Sequence, residues 1–126
     1  MDENAIDGIV VESAIHVHRN LGSGLLETVY QVILARELEK RGLKVQREVS
    51  VSIKYEDVTF DEGFRADLIV NEKVIIELKS VEKVIPAHKK QLLTYLRLSD
   101  LKLGYLLNFG DALMKDGISR IINGQL

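Results

Sequence analysis

The sequence predicts an α/β fold (α+β by some schemes), with a mixed sheet flanked by helices. Three observations predict it. Residues 4–41 carry apolar stripes of helical period, 44–80 carry strand-like alternation and apolar runs, and 86–123 return to one helix followed by strands. The 126 residues fit one domain, 1–126, and contain no repeat, low-complexity tract or internal boundary.

The first helix is expected over 4–20. Asn4 can serve as its N-cap with Asp7 three residues on, and Ile6, Ile9, Val10, Ser13, Val17 and Leu21 form its stripe. Leu21-Gly22-Ser23-Gly24 breaks it. A second helix, with Gly24 as N-cap, runs to about Arg41 and buries Leu26, Tyr30, Ile33, Leu34 and Leu38. Gly42 suits the position after the C-cap, with Leu43 as its hydrophobic contact. Over 44–55, Val45, Arg47, Val49, Val51 and Ile53 share one face of a strand, and Gln46, Glu48, Ser50 and Ser52 the other. A turn at Glu56-Asp57 leads to a short strand near 58–61, and further strands follow over 64–70 and 74–80. Pro86 opens a helix to about Ser99. Residues 103–109 form an apolar strand and a last strand lies around 117–123.

Composition narrows the chemistry. An apolar content of 46% with 29% charged residues is that of an ordinary soluble domain. The absence of cysteine excludes disulfides, thiolate zinc sites, iron–sulfur clusters and cysteine nucleophiles. No apolar run approaches the ~20 residues that span a bilayer, and the acidic start lacks a signal peptide's basic region. The expectation is a cytoplasmic protein with no membrane partner. A net charge of −2 offers no general basic footprint for nucleic acid, although bound cations would offset carboxylates locally. Positive charge does gather in two groups, Arg36-Lys40-Arg41-Lys44-Arg47 and Lys83-His88-Lys89-Lys90-Arg97-Lys102.

The informative stretch is Asp67 to Lys79. Its apolar pattern selects an odd hairpin loop, Asn71-Glu72-Lys73, which sets Val70 opposite Val74, Leu68 opposite Ile76 and Asp67 opposite Glu77. One face then carries Leu68, Val70, Val74, Ile76 and Leu78. The other carries Asp67, Glu77 and Lys79. Two adjacent carboxylates repel unless a proton or a cation stands between them. Asp67, Glu77 and the Leu78 backbone carbonyl are hard oxygen ligands for Mg²⁺ or Mn²⁺, with water and a substrate phosphate completing the shell. Lys79 points the same way and can orient or deprotonate the attacking water, or stabilise charge developing on phosphorus. The competing reading is a salt bridge of Lys79 with either acid.

Asp67 followed by Glu77-Leu78-Lys79 resembles the D…ExK signature of the PD-(D/E)XK nuclease superfamily, with Ala66 in place of the proline. Gly24-Leu-Leu-Glu27-Thr-Val-Tyr30 is similar to the pattern of the GxxExxY proteins, and the likeness runs from about Ile15 to Ile122. It takes in His88, Gln91, Tyr95 and Leu107-Asn108-Phe109-Gly110. Gln91 and Tyr95 also resemble the QxxxY motif of RecB-like nucleases. The resemblance implies a restriction-endonuclease-like core with a mixed sheet of four or more strands, and a divalent-metal phosphodiesterase site. It implies that Glu27 completes the metal site directly or through water, although a first-turn acid also complements the helix dipole without any metal. It implies further that Gln91 positions Lys79, a water or the substrate, with Tyr95 in support.

His88, Gln91 and Tyr95 share a helix face by spacing alone, and Lys89 and Lys90 beside them are candidates for phosphate contact. Tyr30 is expected in the core, its hydroxyl on a polar group. His16 and His18 do not share a helix face and are rejected as a metal pair. The function expected is a Mg²⁺- or Mn²⁺-dependent nuclease acting on nucleic acid, DNA rather than RNA, with a homodimer favoured if both strands are cut. The alternatives are a non-catalytic nucleic-acid-binding or assembly module on the same fold, and a hydrolase of a smaller phosphate ester.

Overall fold

A computed structural model describes all 126 residues. Helix α1 spans Glu3–Leu21 and α2 Glu27–Lys40. Strands β1 (Val45–Tyr55), β2 (Val58–Val70) and β3 (Val74–Lys79) follow. Then come α3 (Pro86–Ser99), β4 (Leu103–Asn108), a 3-10 turn at Met114–Gly117 and β5 (Ile118–Ile122). The strands form one sheet in the order β1-β2-β3-β4-β5. β3 and β4 are parallel, as the α3 crossover between them requires, and the other neighbours are antiparallel. This is the expected α/β architecture, a mixed sheet with helices on both faces. No helix is long and apolar enough to cross a membrane.

The sheet separates two apolar layers. On one face Ile6, Val10, Tyr30 and Leu34 of α1 and α2 meet Leu68, Val70, Ile76 and Leu78. On the other, Leu92 and Leu96 of α3 meet Phe64, Ala66, Ile69 and Ile75. Strand β3 is buried on both sides, which is why its apolar run is unbroken up to Glu77.

The helix ends divide into a match and two corrections. α2 closes as its sequence predicts. Gly42 takes φ +91°, its N–H donates to the Glu39 carbonyl, and the Leu43 N–H donates to the Leu38 carbonyl. α1 is capped by Asp2 rather than Asn4, because the Asp2 carboxylate accepts from the Ala5 N–H at 2.9 Å. An ionised acid outside the first turn is the stronger acceptor and also favours the dipole. α2 begins at Glu27 with Leu26 in the cap position, so Gly24 is not its N-cap and Leu26 is exposed instead of buried.

The two strands expected over 58–61 and 64–70 are one. Asp61, Glu62 and Gly63 lie opposite Ser52 as a bulge that shifts the register but keeps the pairing. Gly63 is required there, since a Cβ would overlap the Ile53 side chain.

β1 also departs from simple alternation. Val45 packs on the α1/α2 side, whereas Val49, Val51 and Ile53 pack on the α3 side. Between them Glu48 takes φ +51°, a left-handed conformation uncommon for a non-glycine residue, and turns the strand over. β2 switches at the paired position. Phe64 and Ala66 face α3, while Leu68 and Val70 face α1 and α2. The residue at that switch is Asp67.

After β4 the chain is held by Asn108, which is fully buried and uses its whole amide. Its Oδ1 accepts from the Val81 N–H (3.0 Å) and the Gly110 N–H (3.2 Å). Its Nδ2 donates to the Val81 carbonyl and to Asp111 Oδ2, both at 2.9 Å. The clamp ties the segment after β3 to the segment after β4. Replacing Asn108 by alanine should cost about 2–3 kcal/mol of unfolding free energy, because the part-buried Val81 N–H and carbonyl and the Gly110 N–H lose their partners. Urea denaturation measures this, and a loss below about 0.5 kcal/mol would show the clamp to be dispensable.

Candidate active site

The hairpin forms in the register its apolar pattern selects. Leu68 pairs with Ile76 and Val70 with Val74, across the three-residue loop Asn71-Glu72-Lys73, in which Asn71 and Glu72 are left-handed. The backbone ladder between β2 and β3 ends at Leu68 and Ile76. Beyond it the strands part, and two carboxylates take over the lost backbone contacts. Asp67 Oδ2 accepts from the Leu78 N–H at 2.9 Å, and Glu77 Oε2 accepts from the Asp67 N–H at 2.8 Å. Each acid therefore spends one oxygen on a backbone N–H of the other strand, and the two carboxyls also face each other.

The pair is electrostatically strained. Burial, with the Asp67 carboxylate beside it, pushes the Glu77 carboxyl up to about 8. The Asp67 backbone N–H and the Lys79 charge pull the other way without prevailing. Lys79 is partly buried at the end of β3 and has no carboxylate within 4 Å, so the salt bridge that could have explained it is not formed. Tyr95 of α3 closes the other side. Its ring stacks on Phe64 at 4.0 Å between centroids. Burial, and then the Glu77 and Asp67 charges, raise its hydroxyl above the usual phenol range. That hydroxyl stays a proton donor at neutral pH.

The Leu78 carbonyl belongs to the same opening. The N–H and C=O of one extended residue point to the same edge, and the Leu78 N–H is on the β2 side, held by Asp67. The Lys79 carbonyl points the opposite way, accepting from the Phe109 N–H at 2.8 Å.

A gap between strands, two acids, a backbone carbonyl and an unpaired lysine thus sit together at the end of β3. Residues 4–121 match the family model for the PD-(D/E)XK nuclease superfamily. The chain belongs to the PD-(D/E)XK nuclease superfamily. No curated protein sequence matches it.

Against the metal chemistry of the superfamily, the residues present fit a hard cation. Asp67 Oδ1 and Glu77 Oε1 accept from no backbone or side-chain donor outside the pair, the two carboxyls share a hydrogen bond when one is protonated, and two like charges here call for a compensating one. No third histidine or acid joins them in a metal-holding cluster. Such a sparse donor set suits an ion that keeps most of its water, as Mg²⁺ does.

The remaining PD-(D/E)XK candidates are placed unevenly. Glu27 is exposed at the first position of α2, where it complements the helix dipole. It shares a cleft with Leu25 and Ser80, the residue after Lys79, and Ser80 Oγ donates to the Leu25 carbonyl at 2.7 Å. Gln91 is exposed and makes no hydrogen bond to Asp67, Glu77 or Lys79. His88 reaches back to its own helix end, Nδ1 accepting from the Ile85 N–H at 3.4 Å. Lys89 and Lys90 are solvent-exposed on the first turns of α3. Tyr30 is in the core as expected. Its hydroxyl donates to the Gly22 carbonyl (2.6 Å) and accepts from the Leu25 N–H (3.1 Å), fixing the loop before Glu27.

Phe64 is the neighbour that alternation conceals. Three residues before Asp67 it should point to the opposite face, and only the turnover at Asp67 brings both to the α3 side. Asn108 is visible in sequence as a polar residue ending an apolar strand, within the Leu107-Asn108-Phe109-Gly110 segment of the family likeness, and neither signal points to its role as a clamp.

Proposed function

We propose that this chain is a Mg²⁺- or Mn²⁺-dependent nuclease that hydrolyses phosphodiester bonds, with DNA as its substrate. The observation that carries the reading is the Asp67–Glu77 pair, two converging carboxylates that cannot both ionise comfortably without a cation. Asp67, Glu77 and the Leu78 carbonyl would hold the ion, and Glu27 would contribute through water across the cleft it shares with Ser80. The bound ion supplies polarisation of the phosphoryl oxygen and an acidified water.

The side chains do the rest. Lys79, uncommitted to any acid, places its ammonium where charge develops on the phosphate, or takes a proton from the attacking water. The Tyr95 hydroxyl, held protonated, donates a hydrogen bond into the same space, and its stack on Phe64 fixes the ring. Gln91, one turn before Tyr95, contacts substrate rather than the acids, and His88, Lys89 and Lys90 extend that contact along α3. The Gly24-x-x-Glu27-x-x-Tyr30 pattern supports placement with the GxxExxY proteins. One site per chain would need two copies to break both strands of a duplex, so double-strand cleavage would come from a homodimer.

Calorimetric titration with Mn²⁺ tests the centre. Binding in the native protein and its loss in Asp67→Ala are expected, whereas no binding, or binding unchanged by that substitution, would defeat the metal reading. Incubation of the Mn²⁺-loaded protein with circular, linear and branched DNA, RNA and mononucleotides then separates substrates. Turnover of mononucleotides alone would replace the nuclease by a small phosphoesterase. Metal binding without turnover of any of them would leave a non-catalytic module.

A further inference from the structure

The largest cavity of the molecule, ≈ 620 Å³, lies at the end of α1. Ile15, His18, Arg19 and Gly22 line one side, and Leu113 and Lys115 of the segment after β4 line the other. Its volume falls within the range of small-molecule sites. His18 is buried and fixes the two sides together. Its Nε2 lies 2.8 Å from the Asp111 carbonyl, and since a carbonyl only accepts, that nitrogen carries the proton.

Two observations give the cavity a ligand chemistry. Arg19 and Lys115 stand on opposite sides of it, both exposed, and neither has an acid within 4 Å. The C-terminal end of α1 favours a cation at Arg19 by itself, but that effect does not reach Lys115, which comes from the 3-10 turn. Between the cations the surface is apolar, with Ile15 on one wall and Leu113, 55% exposed, on the other. An anion attached to a flat or apolar body fits this set.

The second observation is position. The wall that carries Leu113 and Lys115 starts at Phe109, whose N–H is bonded to the Lys79 carbonyl and whose ring stacks on Tyr30 at 4.4 Å. Tyr30 in turn holds Gly22 on the opposite wall. The cavity and the acid pair therefore lie at the same end of the sheet, beyond the carboxyl ends of parallel β3 and β4, the cavity on the α1/α2 side and the acids on the α3 side.

We propose that this cavity is a second phosphate-binding subsite, seating one nucleotide of the strand that is cut at Asp67 and Glu77. Arg19 and Lys115 clasp its phosphate, and Leu113 and Ile15 receive its sugar or base. The inference rests on the nuclease reading above.

Fluorescence anisotropy with a labelled single-stranded DNA 20-mer, Ca²⁺ replacing Mn²⁺ to suppress cleavage, tests it. The double variant Arg19→Glu/Lys115→Glu is expected to bind at least tenfold more weakly. The slope of log affinity against log salt should shrink by about 1–2, roughly 0.7 per lost contact on single strands. Mn²⁺ binding by calorimetry should be unchanged in that variant. If charge reversal unfolds the protein, Arg19→Gln/Lys115→Gln should still lose about threefold or more. Native protein that binds the 20-mer with an affinity these substitutions leave unchanged overturns the subsite alone. Native protein that binds Mn²⁺ but no DNA overturns both the subsite and the DNA reading.

Discussion

Replacing Lys79 with alanine is expected to slow metal-dependent phosphodiester cleavage by about 10²–10⁴-fold, the usual worth of a positioned proton-transfer or charge-stabilising group. The fold should survive. Lys79 ends β3, its side chain makes no hydrogen bond or ion pair, and its backbone contact to Phe109 does not depend on the side chain. The loss should fall on kcat with Mn²⁺ affinity largely kept, since the ammonium is not a ligand. Lys79→Arg should recover only part of the rate, because a planar guanidinium cannot be deprotonated and does not present charge from the same point. Full activity in Lys79→Ala, at a Tm within a few degrees of native, would remove Lys79 from the mechanism.

The second expected result concerns pH and stability in metal-free protein. The Glu77 carboxyl sits at about 8 in the fold against an ordinary value of 4.5. Between those values the folded state holds a proton that the unfolded chain has released. Unfolding stability therefore falls as pH rises from 4.5 to about 8, by up to about 1.4 kcal/mol per pH unit, and levels off above it. Glu77→Gln cannot ionise, yet its side-chain oxygen can still accept from the Asp67 N–H. At pH 8.5 this variant should be more stable than native by about 2–4 kcal/mol, on the order of 10 °C in Tm. Mn²⁺ should stabilise the native protein and not the variant, closing most of the gap at a hundred times Kd (about 2.7 kcal/mol) and reversing the order at a thousand times Kd (about 4.1 kcal/mol). Thermal melts at pH 5, 7 and 8.5 decide it. A native Tm independent of pH across that range would mean that the pair carries no such strain.

Both results depend on a hairpin whose register was legible in the residues. Leu68, Val70, Val74, Ile76 and Leu78 can share a face only with an odd loop, and that loop puts Asp67 across from Glu77. Side-chain period in a strand is local and admits no other solution once one face must be buried. The end of α2 was legible for a similar reason, since Gly42 followed by Leu43 satisfies the last carbonyls by local geometry. The helix starts were less so. Asn4 and Asp2 can both cap, as can many residues around Gly24, and the choice depends on where the helix is needed against the sheet.

By itself, then, the sequence determined the order of the elements, the hairpin register, and the gathering of two acids and a lysine at one strand end. The tertiary structure alone decided how that gathering is used. Opposite Asp67, Glu48 turns over into a left-handed conformation, and β2 changes face with it. The Asp67 N–H then turns to Glu77 and the Leu78 N–H to Asp67, and Phe64 comes round to Tyr95. Such a turnover is a bargain between two paired strands and the helices on either side of them. Alternation along one strand carries no trace of it, because alternation assumes that the strand never changes face.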